Sequence, residues 1–387
     1  MRKICFFTGT RAEYGIMSRL MKAVNDVSDC QLQIIATNMH LSPEFGLTYR
    51  EIEADGLKID KKVIMLLSSD TPNAIVKSMG LGTIGFADAL EDLQPDLCVI
   101  LGDRYEMLAA AQTALIYQIP IAHIGGGNIT EGAYDDAIRH SITKMSSLHF
   151  TSTEDSRKRI IQMGEQPDKV FWTGSLGVDN IKQMPVMPLD ELERSLSIKL
   201  GDKFLLVTFH PVTMEKNTAE QQCKDLLEAL TTVIDDYKIL FTLPNSDTDG
   251  RIIISLINDF VKQNQERCIA VKSLGQKRYY SAMRYATAIV GNSSSGLIEA
   301  PSFHIPTLNI GNRQEGRTRG DSVIDVQADR ISIEEGLRRL LTKETIESAK
   351  SCSNPYSKEN SMESVLKIIT TYPLDNLGEK KFYTINK

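Results

Sequence analysis

The chain has 387 residues, 42% hydrophobic and 24% charged, an ordinary globular mixture whose length points to two domains rather than a small stapled module. Lys plus Arg total 44 against 50 for Asp plus Glu, a formal net charge of −6, so there is no global positive field to hold a polyanion and nucleic acid is not an expected partner. Cys5, Cys30, Cys98, Cys223, Cys268 and Cys352 lie far apart, with no C-x-x-C pair and no Cys/His cluster at zinc spacing, which reads as buried thiols in a reducing cytosol and no metal site.

Met1-Arg2-Lys3 is followed by about four apolar residues before Thr8-Gly9-Thr10 breaks the run, short of a signal peptide. No window approaches the ~18 apolar residues of a membrane span, so the expected setting is cytoplasmic. Short β-rich runs then alternate with longer amphipathic segments, the pattern of β-α-β units around parallel sheets. Strands are expected at Lys3–Thr8, Leu32–Thr37, Leu97–Leu101, Ile119–Ile124 and Val170–Trp172, and again at Phe204–Phe209, Lys238–Leu243, Cys268–Val271, Ala288–Gly291 and Pro306–Ile310. These make two doubly wound α/β sheets in sequence, without an internal repeat or low-complexity tract. Asn180 to Lys203, with Pro185 and Pro188 and no strand pattern, is the expected connection. The division is 1–182, 183–355 and a closing helix in 356–387 that returns to the first domain, since Met362, Val365 and Ile368–Ile369 have helical spacing. Open α/β sheets bind ligands at the carboxyl ends of their strands, and two such sets of strand ends facing one another would form an interdomain cleft.

The first strand runs into Thr8-Gly9-Thr10-Arg11-Ala12-Glu13-Tyr14-Gly15. A tight turn, a helix start and the charge of Arg11 suit an anion, although this is neither G-x-G-x-x-G nor a P-loop, and a plain βα turn with a surface Arg fits equally. Leu101-Gly102-Asp103-Arg104 places an Asp just beyond a buried strand, as a ligand-facing acid or a helix N-cap. His123-Ile124-Gly125-Gly126-Gly127-Asn128 leads through Thr130-Glu131 to Asp135-Asp136 and Arg139-His140. Three glycines allow close backbone approach, and the carboxylates and imidazoles can move protons. In the second half, Phe209 precedes His210-Pro211, weak alone, and Leu243-Pro244 precedes Asn245-Ser246-Asp247. Gly291-Asn292-Ser293-Ser294-Ser295-Gly296…Glu299 offers hydroxyls and N–H groups for a diphosphate and a carboxylate for ribose hydroxyls, where an N-cap accounts for one serine but not three. Gly311-Asn312-Arg313 adds a cation.

Together, Gly9–Gly15, Gly102-Asp103-Arg104, His123-Ile124 with Gly126-Gly127, Asp135-Asp136…Arg139 to Lys144 and Gly291–Ser294…Glu299 closely resemble the hydrolysing UDP-N-acetylglucosamine 2-epimerases of bacterial sialic-acid synthesis, from about Lys3 to about Arg319. The resemblance implies a GT-B architecture of two Rossmann-like domains and conversion of UDP-N-acetylglucosamine plus water to N-acetylmannosamine plus UDP. It implies no cofactor, and a homodimer or homotetramer. It carries Asp103, Glu131, Asp135, Asp136 and His210 over as catalytic candidates. The substrate-binding candidates are Arg11, Glu13, His40, Arg104, His123, Asp179, Asn245, Asp247, Ser293, Ser294, Glu299 and Arg313, with His140 as a further helper in proton transfer. Many members carry an acid where this chain has Gly125, and often another where it has Asn128. A glycine there leaves room for an added acetamido group or a missing hydroxyl, as in the related branch acting on UDP-2,4-diacetamido-2,4,6-trideoxyglucose in legionaminic-acid synthesis. The non-hydrolysing epimerase, the GT-B glycosyltransferase and a nucleotide-sugar sensor without turnover are the alternatives.

Overall fold

A computed structural model describes residues 1–385 apart from 70, 132, 213, 214, 216 and 245–249. The chain divides into two compact units: Met1–Asn128 with Asp135–Asn180 and Tyr356–Lys387, and Ile129–Tyr134 with Ile181–Pro355.

The first unit is built on seven strands: β1 (Arg2–Thr8), β2 (Cys30–Thr37), β3 (Lys61–Val63), β4 (Leu97–Leu101), β5 (Ile121–Ile124), β6 (Leu148–Thr151) and β7 (Val170–Trp172). Their order is β3-β2-β1-β4-β5-β6-β7, and every pairing is parallel. Near-continuous apolar runs are what such strands need, because helices cover both faces. Ile4, Cys5, Phe6 and Phe7 are all fully buried, with Phe6 in register with Ile34 on one side and Val99 on the other. Successive residues of β1 feed opposite cores: Ile4 and Phe6 pack with Met17, Leu20 and Val24, and Cys5 and Phe7 with Phe86, Leu90 and Ile100.

The Arg11–Asn25 helix shows the local logic. Thr10 and Glu13 close a reciprocal capping box at its start. Tyr14, Met17, Leu20, Met21 and Val24 then fall on one face and are buried. The Ser361–Thr371 helix belongs to this unit; Val365 and Ile369 enter the same core, and the Arg2 guanidinium donates to the carbonyls of Ile369 and Tyr372 at 2.9 and 2.8 Å, satisfying its C-terminus.

The second unit carries β8 (Phe204–Thr208), β9 (Lys238–Thr242), β10 (Cys268–Val271), β11 (Ala288–Gly291), β12 (Thr307–Ile310) and β13 (Val323–Val326), in the all-parallel order β10-β9-β8-β11-β12-β13. In both sheets the strand order reverses beside the first strand, at β1/β4 and at β8/β11. Those are the switch points where the adjoining loops splay apart and ligands bind. Three strands, β3, β6 and β13, have no counterpart in the sequence reading. β3 is three residues long, and the other two interrupt their apolar runs with His149 and Asp325. The expected connection contains a helix, Leu189–Leu196. Among the described residues, no helix is long and apolar enough to cross a membrane.

Candidate active site

In the first unit the chemistry gathers at the ends of β1, β4 and β5. Asp103 leaves β4 immediately after Gly102, whose φ of +80° only glycine adopts readily. The N-cap position of the next helix, Tyr105–Ile116, falls to Arg104, whose side chain makes no capping hydrogen bond. Asp103 is gripped by Arg139: Nε donates to Oδ2 at 2.8 Å, and Nη2 donates to the same oxygen. Arg139 Nη1 also donates to Asp136 Oδ1 and to the Asn128 carbonyl, each at 2.9 Å. Burial works against this guanidinium's charge, but Asp103, Asp136 and Asp135 outweigh it and push its pKa upward. Arg139 therefore stays cationic and fixes the β4 end, the Gly-rich turn and the first turn of the Asp135–Met145 helix in one network.

The Gly-rich turn after β5 is built for close backbone contact. A Cβ on Gly126 would lie 2.9 Å from both His123 Nδ1 and Thr143 Oγ1, and one on Gly127 would lie 2.4 Å from the Ser156 carbonyl. Gly125 differs: its φ is +84°, yet among the described residues nothing lies within 4 Å of where a Cβ would be. Asn128 locks the turn, its amide donating to the Gly125 carbonyl at 3.2 Å while Oδ1 accepts from Ser152 and Ser156.

Two imidazoles expected near the substrate are inside the protein. His123 Nε2 lies 2.8 Å from the Gly102 carbonyl, which can only accept, so Nε2 carries the hydrogen and Nδ1 receives the Thr143 hydroxyl at 3.2 Å. His40 bridges Thr8 Oγ1 at 3.0 Å and Thr48 Oγ1 at 2.8 Å. Burial pulls the pKa of each down to about 4. Both are therefore neutral and brace the strand ends from within. His140 lies 3.4 Å from Asp136 at the surface of the acid cluster. Arg11 pairs with Glu51 at 2.7 Å, and Asp179 with Arg19 at 3.2 Å. Glu13 is committed to the β1 turn, accepting from the N–H groups of Gly9 and Thr10.

In the second unit, Asn292 is the organiser. Fully buried, its side chain accepts from the His210 N–H and donates to the His210 carbonyl, both at 2.7 Å. Its own carbonyl receives Arg313 Nη1 at 3.1 Å and Gln314 Nε2 at 2.9 Å. The loops after β8, β11 and β12 are thus tied at one residue. Gly291 permits this, because a Cβ there would sit 1.9 Å from the Thr208 carbonyl. Ser294 precedes a four-residue helix, Ser295–Ile298, without capping it through its side chain. Glu299 follows; burial raises its pKa to about 7 against the lowering pull of Ser295 and Arg317, and its Oε2 is buried without a hydrogen-bond partner. Glu131 clusters with this unit: its N–H donates to the Glu315 carbonyl at 3.2 Å, and Gly316 leaves the space that Ile129 fills. Asn245 and Asp247 lie outside the described residues. Among the described residues no group of three His, Cys, Asp or Glu side chains could hold a metal ion.

A family model described as UDP-N-acetylglucosamine 2-epimerase matches residues 22–370. The chain belongs to that family. Its relatives place this epimerase in the hydrolysing branch. It is 43% identical over 343 residues to the GDP/UDP-N,N'-diacetylbacillosamine 2-epimerase (hydrolyzing) of Campylobacter jejuni, covering 89% of this chain and 88% of the relative. It is 38% identical to the polysialic acid biosynthesis protein P7 of Escherichia coli, covering 100% and 98%. To the UDP-N,N'-diacetylbacillosamine 2-epimerase (hydrolyzing) of Legionella pneumophila it is 35% identical, covering 97% of each. Among solved structures it matches the S. aureus MnaA–UDP co-structure with a TM-score of 0.80 at 17% identity, over 100% of each chain. The UDP-GlcNAc 2-epimerase of Neisseria meningitidis bound to UDP-GlcNAc matches with 0.78 at 19% identity, over 96% of this chain and 100% of that one. The epimerase thus has the GT-B type of fold, two parallel-sheet Rossmann-like units. The residues that organise its strand ends and that sequence reasoning left without a role are Arg139, Asn128, Asn292 and Gln314. Arg139 stood in a quoted motif, and its i+3 and i+4 spacing from Asp136 and Asp135 was the available signal.

Proposed function

We propose that this epimerase hydrolyses a UDP-2-acetamido sugar with inversion at the sugar's second carbon, and that its substrate is UDP-2,4-diacetamido-2,4,6-trideoxyglucose. The products are UDP and the free sugar of manno configuration. The observation that carries the choice of sugar is Gly125, whose open flank at the end of β5 suits a bulky acetamido group. Two of the relatives above bear diacetylbacillosamine in their names. UDP-N-acetylglucosamine is the second reading, favoured by the similarity to the polysialic acid protein.

The proton on the second carbon has no neighbouring carbonyl and is not acidic in the ground state. As the anomeric C–O bond to diphosphate stretches, positive charge grows on the first carbon and a nearby carboxylate can take the proton. UDP leaves with the bonding electrons, giving a 2-acetamidoglucal; water adds at the first carbon while the second is reprotonated from the opposite face. In this reading Asp103, Asp135 and Asp136, organised by Arg139, provide the acid–base groups of the first unit. Glu131 and His210 serve from the second, where Ser293, Ser294, Glu299 and Arg313 hold UDP and stabilise its developing charge. A cytoplasmic setting fits the six cysteines, all buried and unpaired.

Self-association belongs to the same reading. The neighbouring helices Pro72–Leu93 and Tyr105–Ile116 are joined by Gln112 Nε2 donating to Thr83 Oγ1 at 2.8 Å. They expose Val76, Leu81 and Ile84, and Leu115 and Ile116. Adjacent apolar stripes of this kind suit a second copy of the chain in an isologous dimer.

The deciding experiment is incubation with each of the two nucleotide sugars in deuterated water, followed by mass analysis of the free sugar. Acceptor-independent UDP release with one deuterium at the second carbon is the expected result, faster from the 2,4-diacetamido substrate. Recovery of an epimerised UDP-sugar, or turnover only with an acceptor, would defeat the proposal.

A further inference from the structure

The switch point of the first sheet contains two buried carboxyl groups outside the acid–base set proposed above. Glu13 lies in the first turn of the Arg11–Asn25 helix, and its Oε2 accepts from Gly9 N–H at 2.8 Å and Thr10 N–H at 3.1 Å. Glu106 lies in the first turn of the Tyr105–Ile116 helix, fully buried, and accepts from Arg104 Nε at 2.8 Å through Oε1. The two meet at Gly9, where a Cβ would fall 2.6 Å from Glu106 Oε1. Each carboxyl has one oxygen left, Glu13 Oε1 and Glu106 Oε2, and both are buried without a hydrogen-bond partner.

Counting charge explains the arrangement. Arg104 donates to Glu106, and its charge also acts on Glu13. On the elements packed around it, Arg11 is matched by Glu51, Asp103 by Arg139, and His40 is neutral. Two ionised carboxylates beside one guanidinium would leave an uncompensated buried charge, and two bare oxygens with no donor, a costly state. One retained proton removes both problems, because a carboxylic acid can donate where a carboxylate cannot. Burial, and then the proximity of Glu106, raise the Glu13 pKa to about 8.

We propose that Glu13 stands as a neutral acid beside Glu106 at neutral pH, the two meeting at Gly9, and that this pairing ties the β1 turn to the β4 turn and so positions Arg104 and the Gly9–Thr10 backbone. Both are positioning residues. The link to turnover rests on the function proposed above; the proton itself does not.

Glu13→Gln tests this, because the amide reproduces the neutral acid's donor and acceptor but cannot ionise. The unliganded protein at pH 7 should show infrared carbonyl absorption from buried protonated carboxylic acids, of which the Glu13 part is lost in Glu13→Gln while the Glu299 part remains. In UDP-release assays the wild type should lose kcat/KM as pH rises through about 8, while Glu13→Gln, whatever its level at neutral pH, should show no such alkaline decline. Glu13→Ala should lose activity about tenfold or more at every pH through misplacement of the turn, with Glu13→Gln the rescuing variant. A band unchanged in Glu13→Gln, or the same alkaline loss in that variant, would overturn the proposal. If no nucleotide sugar is hydrolysed, the band still decides whether Glu13 holds its proton, and the fault lies with the proposed reaction.

Discussion

Arg139 Nε donates to Asp103 Oδ2 at 2.8 Å across 36 residues of sequence, and the same guanidinium holds Asp136. One buried cation therefore sets the direction of two candidate proton-transfer groups. Asp103→Asn keeps the shape but removes the carboxylate, and turnover is expected to fall by at least ~10² with little change in folding. Arg139→Ala should also cost stability, near the lower end of the ~3–5 kcal/mol typical of a broken buried pair, because Asp103 and Asp136 keep about a quarter of their side-chain surface in solvent. Thermal denaturation alongside UDP-release kinetics separates the two effects; equal stability losses in both variants would count against the assignment.

Gly125 is where a side chain should change the sugar preferred. Its left-handed backbone makes any replacement cost about 1–2 kcal/mol, but the open flank means no clash follows. Gly125→Glu should lower kcat/KM for the 2,4-diacetamido substrate about tenfold or more relative to UDP-N-acetylglucosamine. Competition between the two nucleotide sugars in one vessel measures the ratio directly, and an unchanged ratio removes Gly125 from the specificity argument.

Glu299 gives a pH dependence for nucleotide binding. Burial lifts its pKa to about 7, and the proposed acceptance of ribose hydroxyls requires the ionised form. Apparent UDP affinity should therefore rise by about tenfold between pH 6 and pH 8, following the competent fraction. Isothermal titration with Glu299→Gln supplies the control: weaker binding and a much flatter profile. A Gln variant as steep as the wild type would assign the dependence to the phosphates.

The two-sheet architecture was readable because parallel strands buried on both faces leave long apolar runs, as Ile4-Cys5-Phe6-Phe7 and Phe204-Leu205-Leu206-Val207 do. The glycines and acids that follow those runs marked the strand ends for the same reason. What could not be read was which polar groups face a ligand and which face each other. Asn292 folds onto the backbone of His210, 82 residues earlier, and His123 spends both ring nitrogens on Gly102 and Thr143. Such partnerships depend on strand order. Glu131 is a similar case, since its backbone pairs with Glu315 of the second unit rather than staying with Asp135 and Asp136.

The exposed stripes on Pro72–Leu93 and Tyr105–Ile116 predict the assembly state. Ile84 is 66% and Ile116 80% exposed, so replacing both with Asp should leave the fold intact while abolishing a dimer that buries them. Light scattering after size exclusion should show the wild type as a dimer or tetramer and the double variant at the monomer mass of 43.2 kDa. Equal masses for the two proteins would place any interface elsewhere.

Buried titratable groups set the pH range of stability. His40 and His123 have pKa values of about 4 in the fold, and His149 is also lowered, burial being the main cause for each. An unfolded imidazole binds its proton near pH 6.5, so below that pH the unfolded state takes up protons that the folded state refuses. Stability therefore falls as pH drops from about 6.5 toward 4, by about 3 kcal/mol for each of His40 and His123. Glu13 and Glu299 act in the opposite sense. Their folded values, about 8 and about 7, exceed the unfolded value, so their contribution is complete below about pH 4.5 and is lost as pH rises through the folded values. Between pH 4.5 and 6.5 His40 and His123 oppose the two carboxyls and the lowering of His149 tips the balance toward the imidazoles; above 6.5 the carboxyls dominate. Tm should accordingly peak near pH 6.5 and decline on both sides, and Glu13→Gln should lessen the decline above the peak while leaving the decline toward pH 4 in place. A Tm still rising from pH 6.5 to 8 in the wild type would contradict the buried protons on both glutamates.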